Sequence, residues 1–393
     1  MENGEDEHEE LDAAQDFRRQ LQERSPRGHA HQTAADRLRW LDNNPELLAR
    51  IGRLSLGPTR AGGLSPSEFK EMLAAVPLPS PHDEPFTHSI VRMLSVQIEE
   101  ACRKLDIPLH SGVAYGANAA LDISATKHGV PLTDSSVITL TTGFITFCSS
   151  ISRMIALSLP HDAQGSTIKV SFNPDLVLAK IASSPDLRTY WAKMIGDYAV
   201  GSGPLSGNPQ LVPYPASRTR GQILFSMERF SLAHEYAHHI GRHGCAATAT
   251  VGCEGGGAEE ELEADSFALT LERYIGMNDT PPNLFSASGA AAAVLLKCHE
   301  CVKKARQILS TGEDVAHPDG IHPPVSDRIT AFAVWDREIP EPHRQNITKI
   351  RQDLIALVDE MYRRLKPIYV RAHKDGVRPL PVPHGFDPPR ALL

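Results

Sequence analysis

The chain has 393 residues, 41% of them hydrophobic and 22% charged, a balance typical of a globular protein with a sizeable core. This composition excludes a wholly disordered chain and a coiled-coil rod. The formal net charge of −8 argues against broad nucleic-acid binding, which needs a basic surface to displace counterions from phosphates.

The predicted elements begin after a charged segment, residues 1–64, which we interpret as a mobile or peripheral extension. An amphipathic helix is predicted at about 86–105, and one β-branched run ends in a Thr-Gly step before an apolar helix that ends near residue 159. The predicted strands are 112–115, 119–124, 137–141 and 167–172. After a loop at 201–221, the predicted helices are about 222–242, 258–277, 284–310, 326–335 and 343–366.

These elements predict a predominantly helical α+β fold with a small β-sheet. We divide the chain into the extension 1–64, a main domain 65–340, and a C-terminal helix with a Pro-rich tail, 341–393.

The ends and the cysteines bear on location. Residues 1–10 are acidic, whereas a secretory signal would begin basic and continue apolar. No stretch reaches the roughly 18 apolar residues of a membrane span. Six cysteines do not make a disulfide scaffold in a chain of this length. We therefore expect a cytoplasmic protein with reduced thiols, no membrane span and no nucleic-acid partner; no pattern predicts its oligomeric state.

One motif carries chemistry. The sequence His234-Glu235-Tyr236-Ala237-His238 has the form HExxH and lies in an apolar, helix-compatible context. Residues four apart share a helix face, so both imidazoles can reach one metal ion. Glu235 lies one step round the helix, where a carboxylate can exchange protons with a water activated by that ion.

A catalytic zinc site needs a third protein ligand and leaves a position for water. His243 is one candidate, but it lies five residues after His238 and would point away from the ligand face. The better candidate is Glu261, at the start of a second predicted helix. Asp265 lies one turn later on the same face and could hold a ligand histidine through its remaining N–H.

HExxH followed by Glu261-Leu262-Glu263-Ala264-Asp265 resembles the gluzincin peptidases, specifically the family of HtpX and the CAAX prenyl endopeptidases. Two further stretches are similar to motifs of that family: His322 to Ile329 resembles its HP-x(4)-RI motif, and Gly116 to Ala119 resembles its Asn-Ala motif. The resemblance covers about residues 86–335. Since the membrane-spanning helices of the integral members are absent, the likeness is to a soluble branch.

The resemblance implies a zincin-like metallopeptidase domain that holds one Zn²⁺ per chain through His234, His238 and Glu261. Glu235 would be the general base and Asp265 would support a ligand. Asn118 and His322 would line the cleft as catalytic residues. It also implies that the strand 137–141 is the edge strand over the active-site cleft, on which an extended peptide substrate would pair.

The sequence thus predicts a zinc metalloendopeptidase that acts on a protein or peptide substrate. Two alternatives stay open. One is a regulatory peptidase of the repressor-cleaving type, which would cut a single partner protein. The other is a catalytically silent, metal-stabilised protein-binding module, in which Glu235 would have no purpose.

Overall fold

Helices dominate the computed structural model, with two small β-sheets beside them, which confirms the predicted, predominantly helical α+β class. The structure describes residues 3–24, 39, 43, 65–75, 77–110, 112–118, 120, 122–164, 167–201, 212–241, 257–314 and 322–380. Within this part of the chain, no helix combines the length and the apolar character that a membrane crossing requires.

In chain order, the described elements are α1 (Asn3–Arg24), α2 (Pro66–Ala74), α3 (Pro85–Lys104), β1 (Val113–Asn118), β2 (Ala125–Gly129), β3 (Ser136–Thr141), α4 (Thr142–Ser158), β4 (His161–Gln164), β5 (Thr167–Val170), α5 (Pro174–Ser183), α6 (Pro185–Val200), α7 (Ala216–Ile240), α8 (Ala258–Asn278), α9 (Leu284–Ala287), α10 (Ala290–Thr311), α11 (Val325–Trp335) and α12 (His343–Lys374). The predicted helices at 258–277 and 326–335 agree within a residue, whereas the helix predicted at 222–242 begins earlier, at Ala216. The strand predicted at 119–124 is wrong where the structure describes it, because residues 122–124 precede β2 and form no strand.

The chain divides into two compact units that are interleaved along the sequence. Unit 1 consists of residues 1–145, 231–268 and 386–392, and unit 2 consists of residues 146–230, 269–385 and 393. The predicted domain division at residues 64 and 340 stays a prediction.

The sheet of unit 1 corrects the predicted edge strand. Its strand order is β1-β3-β2, with β1 parallel and β2 antiparallel to β3. Residues 137–141 therefore form the central strand and have both edges paired, so no peptide can add to them. A β-branched run that is buried on both faces fits a central strand as well as an edge strand, which is why the sequence did not separate the two.

Helix α1 packs against this sheet and differs from the predicted mobile extension. Ala14 is fully buried in a small cluster with Ala114, Val130 and Val137. Phe17 and Leu21 pack against the same cluster at helical spacing. This apolar stripe runs through a highly charged segment, which is why the charge pattern alone predicted mobility.

Polar side chains of α1 cover the outer edge of β1. Arg18 pairs with the buried Asp83 and donates a hydrogen bond to the Tyr115 carbonyl at 2.8 Å. Gln22 contacts the other carboxylate oxygen of Asp83 at 3.0 Å. A Cβ at Gly116 would lie 2.3 Å from Arg18 Nε, so glycine permits the close approach. The outer edge of β1 is thus occupied by side chains of the chain itself.

Unit 2 is built from helices packed along the length of α10 and α12. The apolar stripe predicted for the last helix is buried, including Ile347, Leu354 and Leu357. The cysteines of the lone CxxC motif, Cys298 and Cys301, are buried free thiols of α10. Residues 202–211 of the loop predicted to precede α7 lie outside the described residues.

Candidate metal centre

The HExxH motif lies in the last turns of α7, within unit 1. Its neighbours Leu232, Ala233 and Tyr236 are each fully buried, so this part of the helix is enclosed on several sides. His239 anchors the helix to the sheet, because its Nδ1 lies 2.9 Å from Ser136 Oγ on β3 and its Nε2 lies 3.1 Å from the His110 carbonyl. The motif therefore sits on a fixed segment.

The second contribution comes from the first turns of α8. Glu261 lies in the first turn of that helix, and Asp265 follows one turn later on the same face. The small residues Ala264 and Ala268 are fully buried, which permits another backbone to approach closely. Residues 242–256, which connect the two helices and include His243, lie outside the described residues.

Three donor groups converge at this point. His234 Nε2 and His238 Nε2 are 3.0 Å apart. One carboxylate oxygen of Glu261 lies 3.5 Å from His234 Nε2, and the other lies 3.5 Å from His238 Nε2. All three residues are buried, and each offers a ligand atom within 4.8 Å of the others. This buried triad could bind a metal ion.

The spacing of the three donors agrees with tetrahedral coordination. Zinc binds imidazole nitrogen and carboxylate oxygen at about 2.0–2.2 Å, so two such ligands on a tetrahedral ion stand about 3.4 Å apart. The separations of 3.0 and 3.5 Å lie close to that value. The donor set, two imidazoles and one carboxylate, suits zinc and also other first-row divalent ions.

Asp265 orients one of the ligands. Its carboxylate lies 3.0 Å from His234 Nδ1, and its side chain has no exposed surface. When Nδ1–H donates to Asp265, the lone pair of Nε2 is directed at the point where the three donors meet. The position predicted for Asp265 from its register with Glu261 is therefore what the structure has.

The electrostatics of this cluster favour a cation. Burial alone would lower the pKa of His234, but its hydrogen bonds with Asp265 and Glu261, together with their negative charge, outweigh burial and raise it to about 9. The same negative charge that gives the imidazole this high proton affinity would stabilise a divalent ion among the donors.

Glu235 lies beside the ligands on α7 and is fully buried. Burying a carboxylate away from water is costly, so glutamate is rarely placed at such a position for packing alone. A proton-transfer role needs a carboxylate next to the reacting atoms in a water-poor site, and this position meets both requirements.

Asn118 and His322 are not brought to the triad by any contact that the structure records. Asn118 ends β1, where its Oδ1 accepts a hydrogen bond from the Ala120 amide at 2.9 Å and its carbonyl accepts one from Thr142 at 3.1 Å. These bonds close a turn. His322 belongs to unit 2 and precedes α11 by three residues. Their catalytic roles stay predictions.

Sequence reasoning missed the residues that hold the motif in place. Tyr236, inside the motif, donates a hydrogen bond from its hydroxyl to Glu99 of α3 at 2.7 Å. Ser136 and His110 hold His239 in the same way. These partners are more than one hundred residues away in sequence, and no local pattern connects them.

Comparisons with protein-family models, with curated proteins and with solved structures found no match to this chain. The relation to the HtpX and CAAX prenyl endopeptidase family therefore rests on the motifs alone.

Proposed function

We propose that the chain is a zinc-dependent metalloendopeptidase that hydrolyses peptide bonds. The observation that carries this proposal is the buried set of three donors, His234, His238 and Glu261, with Glu235 beside it. The likeness of the motifs to those of the gluzincin peptidases supports the same assignment.

The number of donors favours catalysis over a purely structural site. Structural zinc sites are usually closed by four protein ligands, whereas catalytic sites use three and keep one position for water or substrate. Among the residues that the structure describes, three donors from histidine, cysteine or acidic side chains meet at this point. A silent binding module would also have no use for a buried carboxylate beside the ligands.

A zinc ion held by these residues would supply a Lewis acid that polarises a carbonyl and makes a water molecule more acidic. The chain's own residues perform the remaining steps. His234 and His238 present Nε2 from one helix face, and Asp265 keeps the His234 ring in place. Glu235 takes a proton from the attacking water and returns it to the leaving amine.

The decisive experiment compares Glu235→Gln with the matched variant Glu259→Gln, which alters an exposed acid near the start of α8. We expect Glu235→Gln to retain one zinc per chain and to lose at least about a hundredfold in hydrolysis of a peptide library, since general base catalysis contributes about 10²–10⁴-fold. Glu259→Gln should behave like the wild type. Cleavage at the wild-type rate by a zinc-loaded Glu235→Gln protein would exclude the proposed mechanism.

A further inference from the structure

Unit 2 contains two arginines that the proposed function does not use. Arg153 lies on α4 and exposes only 5% of its surface. Arg220 lies on α7 and is half-buried. Both belong to the part of the chain that forms unit 2, so their arrangement is internal to that unit.

The two guanidinium groups are directed to the same place. Arg220 Nη2 donates a hydrogen bond to Ser149 Oγ at 3.1 Å. Ser149 precedes Arg153 by four residues on α4, so the two share one face of that helix. Burial lowers the pKa of Arg220 to about 10, and the positive charge of Arg153 nearby lowers it further.

The charge of Arg153 is not matched within the protein. Among the residues that the structure describes, Arg153 forms no hydrogen bond or ion pair, and its buried Nε has no partner. The acid whose charge reaches Arg220 is Glu228, which is itself buried and forms no ion pair with either arginine among the described residues. Burial raises the pKa of Glu228 to about 8, so it is largely protonated at neutral pH and does not neutralise the arginines.

A buried guanidinium without a partner is costly, since buried charges in folded proteins are almost always paired. Arginine presents planar N–H donors that match the oxygens of phosphate and carboxylate groups, which makes it the usual residue at anion sites. Ser149 adds a hydroxyl on the same face, and the half-buried Arg220 and Ser149 give a small anion access from solvent.

We propose that Arg153, Arg220 and Ser149 form a binding site for a phosphate group. Two guanidinium groups supply two positive charges, which a phosphate dianion would balance and a single carboxylate would not. The ligand could be inorganic phosphate or the phosphate of a small metabolite, and the site would stabilise the folded protein when it is occupied.

The test measures thermal unfolding of the full-length protein in chloride, in acetate and in inorganic phosphate at matched ionic strength. The variants are Arg153→Met, Arg220→Gln and the control Arg188→Gln, which alters an exposed arginine of the same unit. Phosphate should raise the melting temperature of the wild type and of Arg188→Gln by roughly 2 °C or more. Acetate should have a smaller effect.

Both site variants should lose the phosphate-dependent shift. In chloride, Arg153→Met should melt at or above the wild-type temperature, because it removes an unmatched buried charge. If Arg153→Met does not fold, loss of the phosphate shift in Arg220→Gln alone carries the same conclusion. An equal phosphate shift in all folded variants would overturn the proposal, since it would indicate binding elsewhere, including at the metal centre. An equal response to acetate and phosphate would show that a carboxylate is the ligand and would also overturn it.

Discussion

The metal centre of unit 1 and the Arg153–Arg220 site of unit 2 are both buried polar clusters, but they differ in how their charge is matched. At the metal centre, each histidine lies 3.5 Å from an oxygen of Glu261, and Asp265 holds His234 from behind. At the arginine site, the nearby acid Glu228 is protonated at neutral pH. The first cluster has an excess of negative charge suited to a cation, and the second has an excess of positive charge suited to an anion.

This difference teaches where each cluster is fragile. A carboxylate-rich cluster loses its ligand when one donor is removed, because the remaining donors cannot complete the coordination. A cluster with an unmatched buried cation can instead gain stability when the charge is removed. The predictions below test the two clusters on these terms, from the largest expected effect to the smallest.

Removing a donor of the metal centre should have the largest effect. Glu261→Gln replaces a charged ligand with a neutral amide, and we expect zinc content well below one per chain and a loss of roughly a thousandfold or more in peptide hydrolysis. Glu259→Gln, two residues earlier, serves as the control. Full zinc occupancy in Glu261→Gln, measured by plasma mass spectrometry, would contradict the assignment of this ligand.

Glu228→Gln tests whether the arginine site contains a neutral or an ionised acid. An unfolded glutamate ionises near pH 4.5, whereas the folded group ionises near pH 8, so the unfolded state binds fewer protons between these values. The wild type should therefore lose stability as the pH rises, by up to about 2.7 kcal/mol between pH 5 and pH 7 from this residue.

Glu228→Gln should remove that part of the slope, as measured by urea unfolding at several pH values. Glu341→Gln, an exposed position in unit 2, should leave the slope unchanged. A variant that is strongly destabilised at pH 7, with an unaltered slope, would mean that Glu228 is ionised and balances the arginines.

Asp265→Asn should have an intermediate effect. The amide can accept from His234 Nδ1–H but carries no charge, so zinc affinity should fall about 10–100-fold while the ligand set stays intact. Competition with a chromophoric chelator measures this directly. Glu263→Gln, an exposed position on the same helix, is the matched comparison. Unchanged affinity in Asp265→Asn would show that the ring of His234 is held by other contacts.

The smallest effect is expected for Tyr236→Phe. This change removes the hydroxyl that donates to Glu99 and leaves the ring in place. We expect a loss of about 1 kcal/mol in the free energy of unfolding, with zinc content preserved. Simultaneous loss of zinc would mean that the α7–α3 contact sets the geometry of the ligands.

Much of this architecture could be predicted from local patterns. The register of His234 with His238, and of Glu261 with Asp265, follows from helical periodicity, and each pair does share a helix face. That the two pairs meet was an inference from the chemistry of zinc sites. No periodicity brings residues of α7 and α8 together, and the connecting residues 242–256 carry no pattern that fixes the turn.

Other features depend on tertiary contacts that the sequence does not display. A β-branched run identifies the strand at 137–141 but not its neighbours, so its central position in the sheet was missed. The stripe of Ala14, Phe17 and Leu21 is obscured by surrounding charges. Arg153 interrupts an apolar helix in the sequence, and only the structure shows that its charge is buried without a partner.

X-ray diffraction from crystals of the zinc-loaded protein, recorded on both sides of the zinc absorption edge, tests the central claim most directly. We predict one anomalous peak per chain within bonding distance of His234 Nε2, His238 Nε2 and a carboxylate oxygen of Glu261. Absence of a peak at that position, with Glu261 directed away from the two imidazoles, would contradict the metal centre and the peptidase function derived from it.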